Sequence, residues 1–65
     1  MKNILILGGS PTQLPLIKKA KFFGKVIVCD IKVYKESNKI ADKYYKISTT
    51  NKKELSKVVS SEKIN

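Results

Sequence analysis

The stretch Ile4-Leu5-Ile6-Leu7-Gly8-Gly9-Ser10-Pro11-Thr12-Gln13, answered further on by Val26-Ile27-Val28-Cys29-Asp30, decides the fold. A short continuous apolar run closed by glycine reads as a strand buried on both faces, as in a parallel sheet. Gly8-Gly9-Ser10-Pro11 is a turn cluster. Beyond Gln13 the period changes: Leu16, Ile17, Ala20 and Phe23 form an apolar stripe, with Lys18, Lys19 and Lys21 facing elsewhere, as in an amphipathic helix. Pro11 and Pro15 fit only before that helix or in its first turn, and Gly24 is expected to stop it. The second apolar run, Val26 to Cys29, ends on Asp30. Strand, glycine turn, helix and strand over about 30 residues make one βαβ unit, whose crossover is right-handed.

Working outward, Ile31 to Asn38 reads as polar and irregular, with one helical turn expected at Ile40-Ala41-Asp42. Tyr44-Tyr45-Lys46-Ile47 alternates and is aromatic, which predicts a third, less buried strand. Asn51 and Glu54 have capping-box spacing, and Leu55, Val58 and Val59 supply an apolar stripe, so a helix is predicted over Asn51–Glu62. Ile64-Asn65 is placed at the opening of a fourth strand. The expected fold class is α/β: a Rossmann-like three-layer parallel sheet, with strands Lys2–Leu7, Lys25–Cys29 and Tyr44–Ile47 in the order 3-2-1. It is incomplete, with a fourth strand truncated beside the first. Residues 1–65 are expected to be one domain, the N-terminal fragment of a larger enzyme.

Composition narrows the function classes. The chain has 65 residues, 42% of them hydrophobic, and a net charge of +9 from 14 basic and 5 acidic residues. A domain of about this size buries only about 60% of its unfolded surface, too little to wall a multi-substrate active site. All the basic residues are lysine and are scattered along the chain. They attract polyanions non-specifically but lack the arginine fork that favours specific phosphate and guanine recognition. No specific nucleic-acid partner is therefore expected. Apolar runs are too short to span a bilayer, there is no signal-peptide core, and no membrane partner is expected. Cys29 is alone in an apolar run, so it reads as a buried, inert thiol in a cytoplasmic protein. With a single cysteine and no histidine, a zinc site has too few ligands.

The candidate site lies where the predicted strands end, because ligands of open parallel sheets bind outside the carboxyl ends. Strand one ends on Gly8, Gly9 and Ser10, with Gln13 just beyond. Strand two ends on Asp30, and strand three on Ser48, Thr49 and Thr50. The glycines are expected to leave backbone amides uncovered for an anion, and Asp30 to accept bonds from hydroxyls or an amine. Each feature also has a plain structural use: Gly8-Gly9 as a tight turn, Asp30 as a tie for the following loop, Ser48 to Asn51 as caps. Gln13 has none evident. Asp30 stands 22 residues after Gly8, close to the dinucleotide-fingerprint spacing of about 20. That fingerprint needs glycine where Ser10 and Gln13 stand, and a P-loop Gly-Lys-Ser/Thr is absent.

The run Ile4 to Lys21, together with Val26 to Asp30, Ile40-Ala41-Asp42-Lys43-Tyr44-Tyr45 and Ser48-Thr49-Thr50-Asn51, resembles the N-terminal pre-ATP-grasp domain of ATP-grasp ligases. This superfamily includes biotin carboxylase, the carbamoyl-phosphate synthase large chain and phosphoribosylglycinamide synthetase. The resemblance covers essentially the whole chain and does not choose the subfamily. It implies a Rossmann-like domain preceding an ATP-grasp fold, and activation of a carboxylate as an acyl phosphate that an amine or similar nucleophile then attacks. ATP and magnesium are implied for the full-length enzyme, bound outside this chain, with none on the fragment, which is not itself catalytic. Gly8, Gly9 and Gln13 match the family's first loop, and Asp30 its acidic residue after strand two. Ile31-Lys32-Val33-Tyr34 departs from the Asn-Pro or Asp-Pro loop of many relatives. Implied partners are a small-molecule acceptor and the remaining domains of the parent enzyme, with homodimer formation or self-association through an unpaired edge. The alternatives are an NAD(P)-binding Rossmann half-domain and a Lys-rich nucleic-acid-binding module.

Overall fold

The computed structural model describes residues 2–64. The fold is mixed α/β, compatible with a Rossmann-like arrangement. Strands β1 (Lys2–Leu7), β2 (Gly24–Asp30) and β3 (Lys43–Lys46) form one parallel sheet, hydrogen-bonded in the order β1-β2-β3. Helices α1 (Leu14–Ala20) and α2 (Lys35–Ile40) link the strands, and α3 (Lys52–Ser61) follows β3. A 3₁₀ turn over Pro11–Gln13 leads into α1, so both prolines sit where no ladder bond is lost.

β2 is the centre of the molecule. Val26, Ile27, Val28 and Cys29 have no exposed surface, and their alternation splits the core in two. Val26 and Val28 pack with Ile6, Ile17 and Ala20, joined by Ile40, Ala41 and Tyr44, so α1 and α2 share one face. Ile27 and Cys29 pack with Val58, Leu5, Tyr45 and Leu55, which puts α3 on the other. Cys29 is a free, buried thiol, and burial raises its pKa. Alkylation of the native protein at neutral pH is therefore expected to be at least about a hundredfold slower than in denaturant. Reaction requires an opening worth about 3–5 kcal/mol in so small a core, and each 1.4 kcal/mol or so is tenfold. Equal rates would refute a structural role for this residue.

Several expectations are corrected. The apolar stripe of α1 is narrower than predicted: Ile17 and Ala20 are buried, but Leu16 is exposed within the helix, and Phe23 is exposed because the helix ends at Ala20 and residues 21–23 form a turn. Gly24 does not stop the helix; it opens β2, paired with Lys2. A Cβ there would collide with the Lys2 carbonyl oxygen. The irregular segment after Asp30 contains α2, and the turn predicted at Ile40–Asp42 is only the end of it. The buried position of α2 is Ser37, so the helix carries no apolar stripe to announce it.

The capping of α3 is half as predicted. The Glu54 N–H donates to Asn51 Oδ1 at 3.2 Å, but the Asn51 N–H bonds Ser48 O at 3.0 Å, so the reverse bond is not formed. At the other end Lys63 takes a left-handed φ of 52°. The Lys63 N–H reaches Ser60 O at 3.3 Å and the Ile64 N–H reaches Val59 O at 3.1 Å, a Schellman termination. Ile64 consequently packs into the second core rather than opening a strand; Asn65, the other half of that expectation, lies outside the described residues.

Two acidic residues fasten the amino-terminal end of the sheet. Asp42 accepts from the Val26 N–H at 2.7 Å and from Lys21 Nζ at 2.8 Å. Glu62, nearly buried, takes the Tyr45 hydroxyl and Lys43 Nζ on its carboxylate, with Lys25 at 3.8 Å, while its carbonyl accepts from Asn3. The Tyr45 hydroxyl first, then Lys43, holds the Glu62 carboxyl below the usual range.

Candidate functional site at the carboxyl ends of the strands

Gly8, Gly9, Ser10, Gln13 and Asp30 come together beyond β1 and β2, and internal bonds hold them there. β1 ends at Leu7, and Gly8 turns the chain with φ +106°, a conformation that favours glycine. The Gly8 N–H donates to Cys29 O at 2.8 Å. The Gly9 N–H donates to Asp30 Oδ2 at 2.8 Å, and the Gly9 carbonyl accepts from the Ser37 hydroxyl. Both glycine amides are thus taken by the protein itself. The expectation that they stand uncovered for an anion is corrected.

Asp30 is the hub. Its second oxygen accepts from the Lys32 N–H at 3.2 Å, so the carboxylate binds the first loop to the second. The Gly9 N–H is the main cause of a carboxyl pKa below the usual range; partial desolvation opposes it, and the Lys32 and Ile31 amides add to it. The group is therefore an anion at neutral pH, bonded by the Gly9 and Lys32 amides on its two oxygens and further favoured by the Ile31 amide.

Gln13 also has a structural bond: its Nε2 donates to Leu7 O at 3.3 Å and lies over Gly8. Ser10 pairs its hydroxyl with that of Thr12 at 2.8 Å. Ser48 and Thr50 pair likewise at 2.8 Å beyond β3.

Sequence reasoning missed Ser37 and Tyr44. The Tyr44 hydroxyl donates to Lys32 O at 2.7 Å, and it stands so close over Gly9 that a Cβ there would collide with it. Tyr44 ties the β2–α2 loop to the glycine loop from β3. The alternation of Tyr44 and Tyr45, one toward each core, was the available signal. For Ser37 there was none. Beside this cluster an open cleft of about 240 Å³ is lined by Pro11, Leu14, Tyr34, Lys35, Glu36 and Ser37. Exposed Leu7, Ile31 and Val33 lie on the segments around it.

This end of the sheet thus gathers an anionic carboxylate, a primary amide and a pair of hydroxyls, groups that can accept and donate hydrogen bonds. Among the described residues no group of three His, Cys, Asp or Glu is gathered that could hold a metal, and no helix is long and apolar enough to cross a membrane. Comparison with protein-family models, with curated proteins and with solved structures finds no match.

Proposed function

We propose that this chain is the substrate-side, N-terminal domain of a cytoplasmic ATP-dependent ligase of the ATP-grasp kind, which joins a carboxylate to an amine or related acceptor through an acyl phosphate. The observation that carries the reading is the distribution of helices: α1 and α2 lie on one face and α3 on the other. Right-handed crossovers on one face advance the sheet from β1 to β3; a right-handed crossover on the opposite face reverses the direction. In this reading a next parallel strand would fall on the free edge of β1, completing a sheet ordered 3-2-1-4. The reversal point lies beside Gly8 and Gly9, where open α/β sheets receive ligands.

In this reading Asp30, Gln13 and Ser10 contact the acceptor, and Leu7, Ile31 and Val33 border its apolar part or the following domains. ATP and magnesium bind in those domains, outside this chain. Until they are present, the β1 edge is open to a second copy. The dinucleotide alternative loses support from the geometry: Asp30 occupies the Gly9 amide that a pyrophosphate would need, and brings a like charge to it.

The test uses the protein encoded by the extended reading frame. Acceptor-dependent release of phosphate from ATP is expected. Gln13→Ala is expected to raise the acceptor KM about threefold to tenfold, the worth of one hydrogen bond, with little change in the KM for ATP. A raised ATP KM with an unchanged acceptor KM would reverse the assignment, and saturable binding of a nicotinamide nucleotide by this chain would replace it.

A further inference from the structure

The residues between α1 and β2 form a turn at the opposite end of the sheet from the glycine loop. This turn carries Phe22 and Phe23, 85% and 64% exposed. They sit within Lys18-Lys19-Ala20-Lys21-Phe22-Phe23-Gly24-Lys25, a stretch with four lysines and no acidic residue. The same end gathers further charge: Lys2 pairs with Gly24 in the ladder, and the Lys63 carbonyl lies 3.4 Å from the Asn3 side chain. The two carboxylates nearby, Asp42 and Glu62, are already engaged by Lys21, Lys43 and Lys25. Among the described residues no carboxylate is recorded against Lys18, Lys19, Lys2 or Lys63, so this end presents an uncompensated positive field around two aromatic side chains. Phe23 was expected in the core stripe of α1; the early end of that helix puts it outside instead.

From this we propose that the Phe22-Phe23 turn is a docking tip for an anionic bilayer surface, the two rings entering the headgroup region while the surrounding lysines hold it electrostatically. Charge complementarity selects an anionic occupant and opposes a second copy of this +9 chain. Two features then favour a lipid surface over nucleic acid or an acidic peptide. Phe22 and Phe23 are adjacent on an exposed turn, with Phe22 bordering a wide, open cleft beside Lys18, Lys21 and Ile40, and a fluid surface accepts such a tip without a complementary shape. The cations are all lysine, which acts as a hydrated point charge suited to diffuse attraction by headgroups, whereas base and phosphate recognition favours arginine. An apolar insertion backed by a basic cluster supplies the two signals that peripheral binding needs. No spanning segment is required, so the short apolar runs that argued against a membrane do not bear on it.

Co-sedimentation of the full chain with vesicles tests this, comparing phosphatidylcholine alone with phosphatidylcholine mixed with phosphatidylserine. Binding to the mixed vesicles only, weakening as salt rises, is expected. The double variant Phe22→Ser, Phe23→Ser should lower partition on the order of tenfold or more, from the apolar area withdrawn. Lys18→Gln and Lys19→Gln should each lower it about fivefold. Both rings are exposed, so the circular dichroism spectrum of the double variant should match the wild type and separate lost docking from lost folding. Binding unaffected by the double variant would mean plain charge attraction and would overturn the proposal. So would failure to bind the mixed vesicles, or a Phe-dependent affinity for an oligothymidine or for polyglutamate that exceeds the affinity for vesicles.

Discussion

Replacing Ile17 by alanine is expected to leave a large share of the chain unfolded at room temperature. Ile17 has no exposed surface and is one of only two buried residues of α1, the other being Ala20. It is the main apolar attachment of that helix to Val26, Val28 and Ile6. Truncating a buried isoleucine to alanine costs about 2–5 kcal/mol, from lost transfer energy and the cavity left behind. A core of fewer than about 70–80 residues, without disulfide or metal, rarely supplies more than about 3–5 kcal/mol in total. The two ranges overlap, so the variant should lose most of its cooperative melting transition. Ile17→Val removes a single methylene and should cost about 0.5–1.5 kcal/mol, keeping the transition at a lower midpoint. If Ile17→Ala melts within a few degrees of the wild type, the packing of α1 described above is wrong.

Gly24→Ala should be the next most damaging change, although alanine is otherwise the mildest replacement for glycine. The added Cβ would fall on the Lys2 carbonyl oxygen, with the Lys2 carbonyl carbon at 2.9 Å and its Cβ at 3.2 Å. No side-chain rotation relieves a clash with backbone; the first rung between β1 and β2 must part. Overpacking of this kind costs about 1–3 kcal/mol, and in a domain of this length each kcal/mol lowers the melting temperature by about 4–8 °C. A fall on the order of 10 °C is therefore expected. Faster amide exchange should be concentrated in Lys2, Asn3 and Lys25, around the parted rung. A fall without that local pattern would point to a cause other than the Lys2 contact.

These two positions also mark how far the sequence could be read. Ile17 lies on a stripe whose period announces its burial, and the two apolar runs placed β1 and β2 almost to the residue. Asn51 and Glu54 likewise marked the start of α3. Gly24 shows where the reading fails: a glycine after a helix is compatible with a cap and with a close backbone approach, and only the opposite strand distinguishes them. α2 was illegible because a serine fills its buried position, bonded to a carbonyl 28 residues away. At the site, the grouping of Gly8, Gly9, Ser10, Gln13 and Asp30 followed from topology. That Asp30 would occupy the Gly9 amide did not, because the donor is a backbone group and carries no side-chain signature.

The complete burial of Val26 to Cys29 in β2 between the two apolar clusters has a consequence for how the molecule comes apart. Each core supplies its side chains to opposite faces of the same four residues, Val26 to Cys29, so neither half has a scaffold of its own. Detachment of α3 would expose Ile27 and Cys29 on the strand that anchors α1, so loss of that helix is expected to weaken the other layer as well. Partial openings are expected first at the turns and chain ends. The two layers behave as one cooperative unit, and a defect introduced on either side of the sheet weakens both.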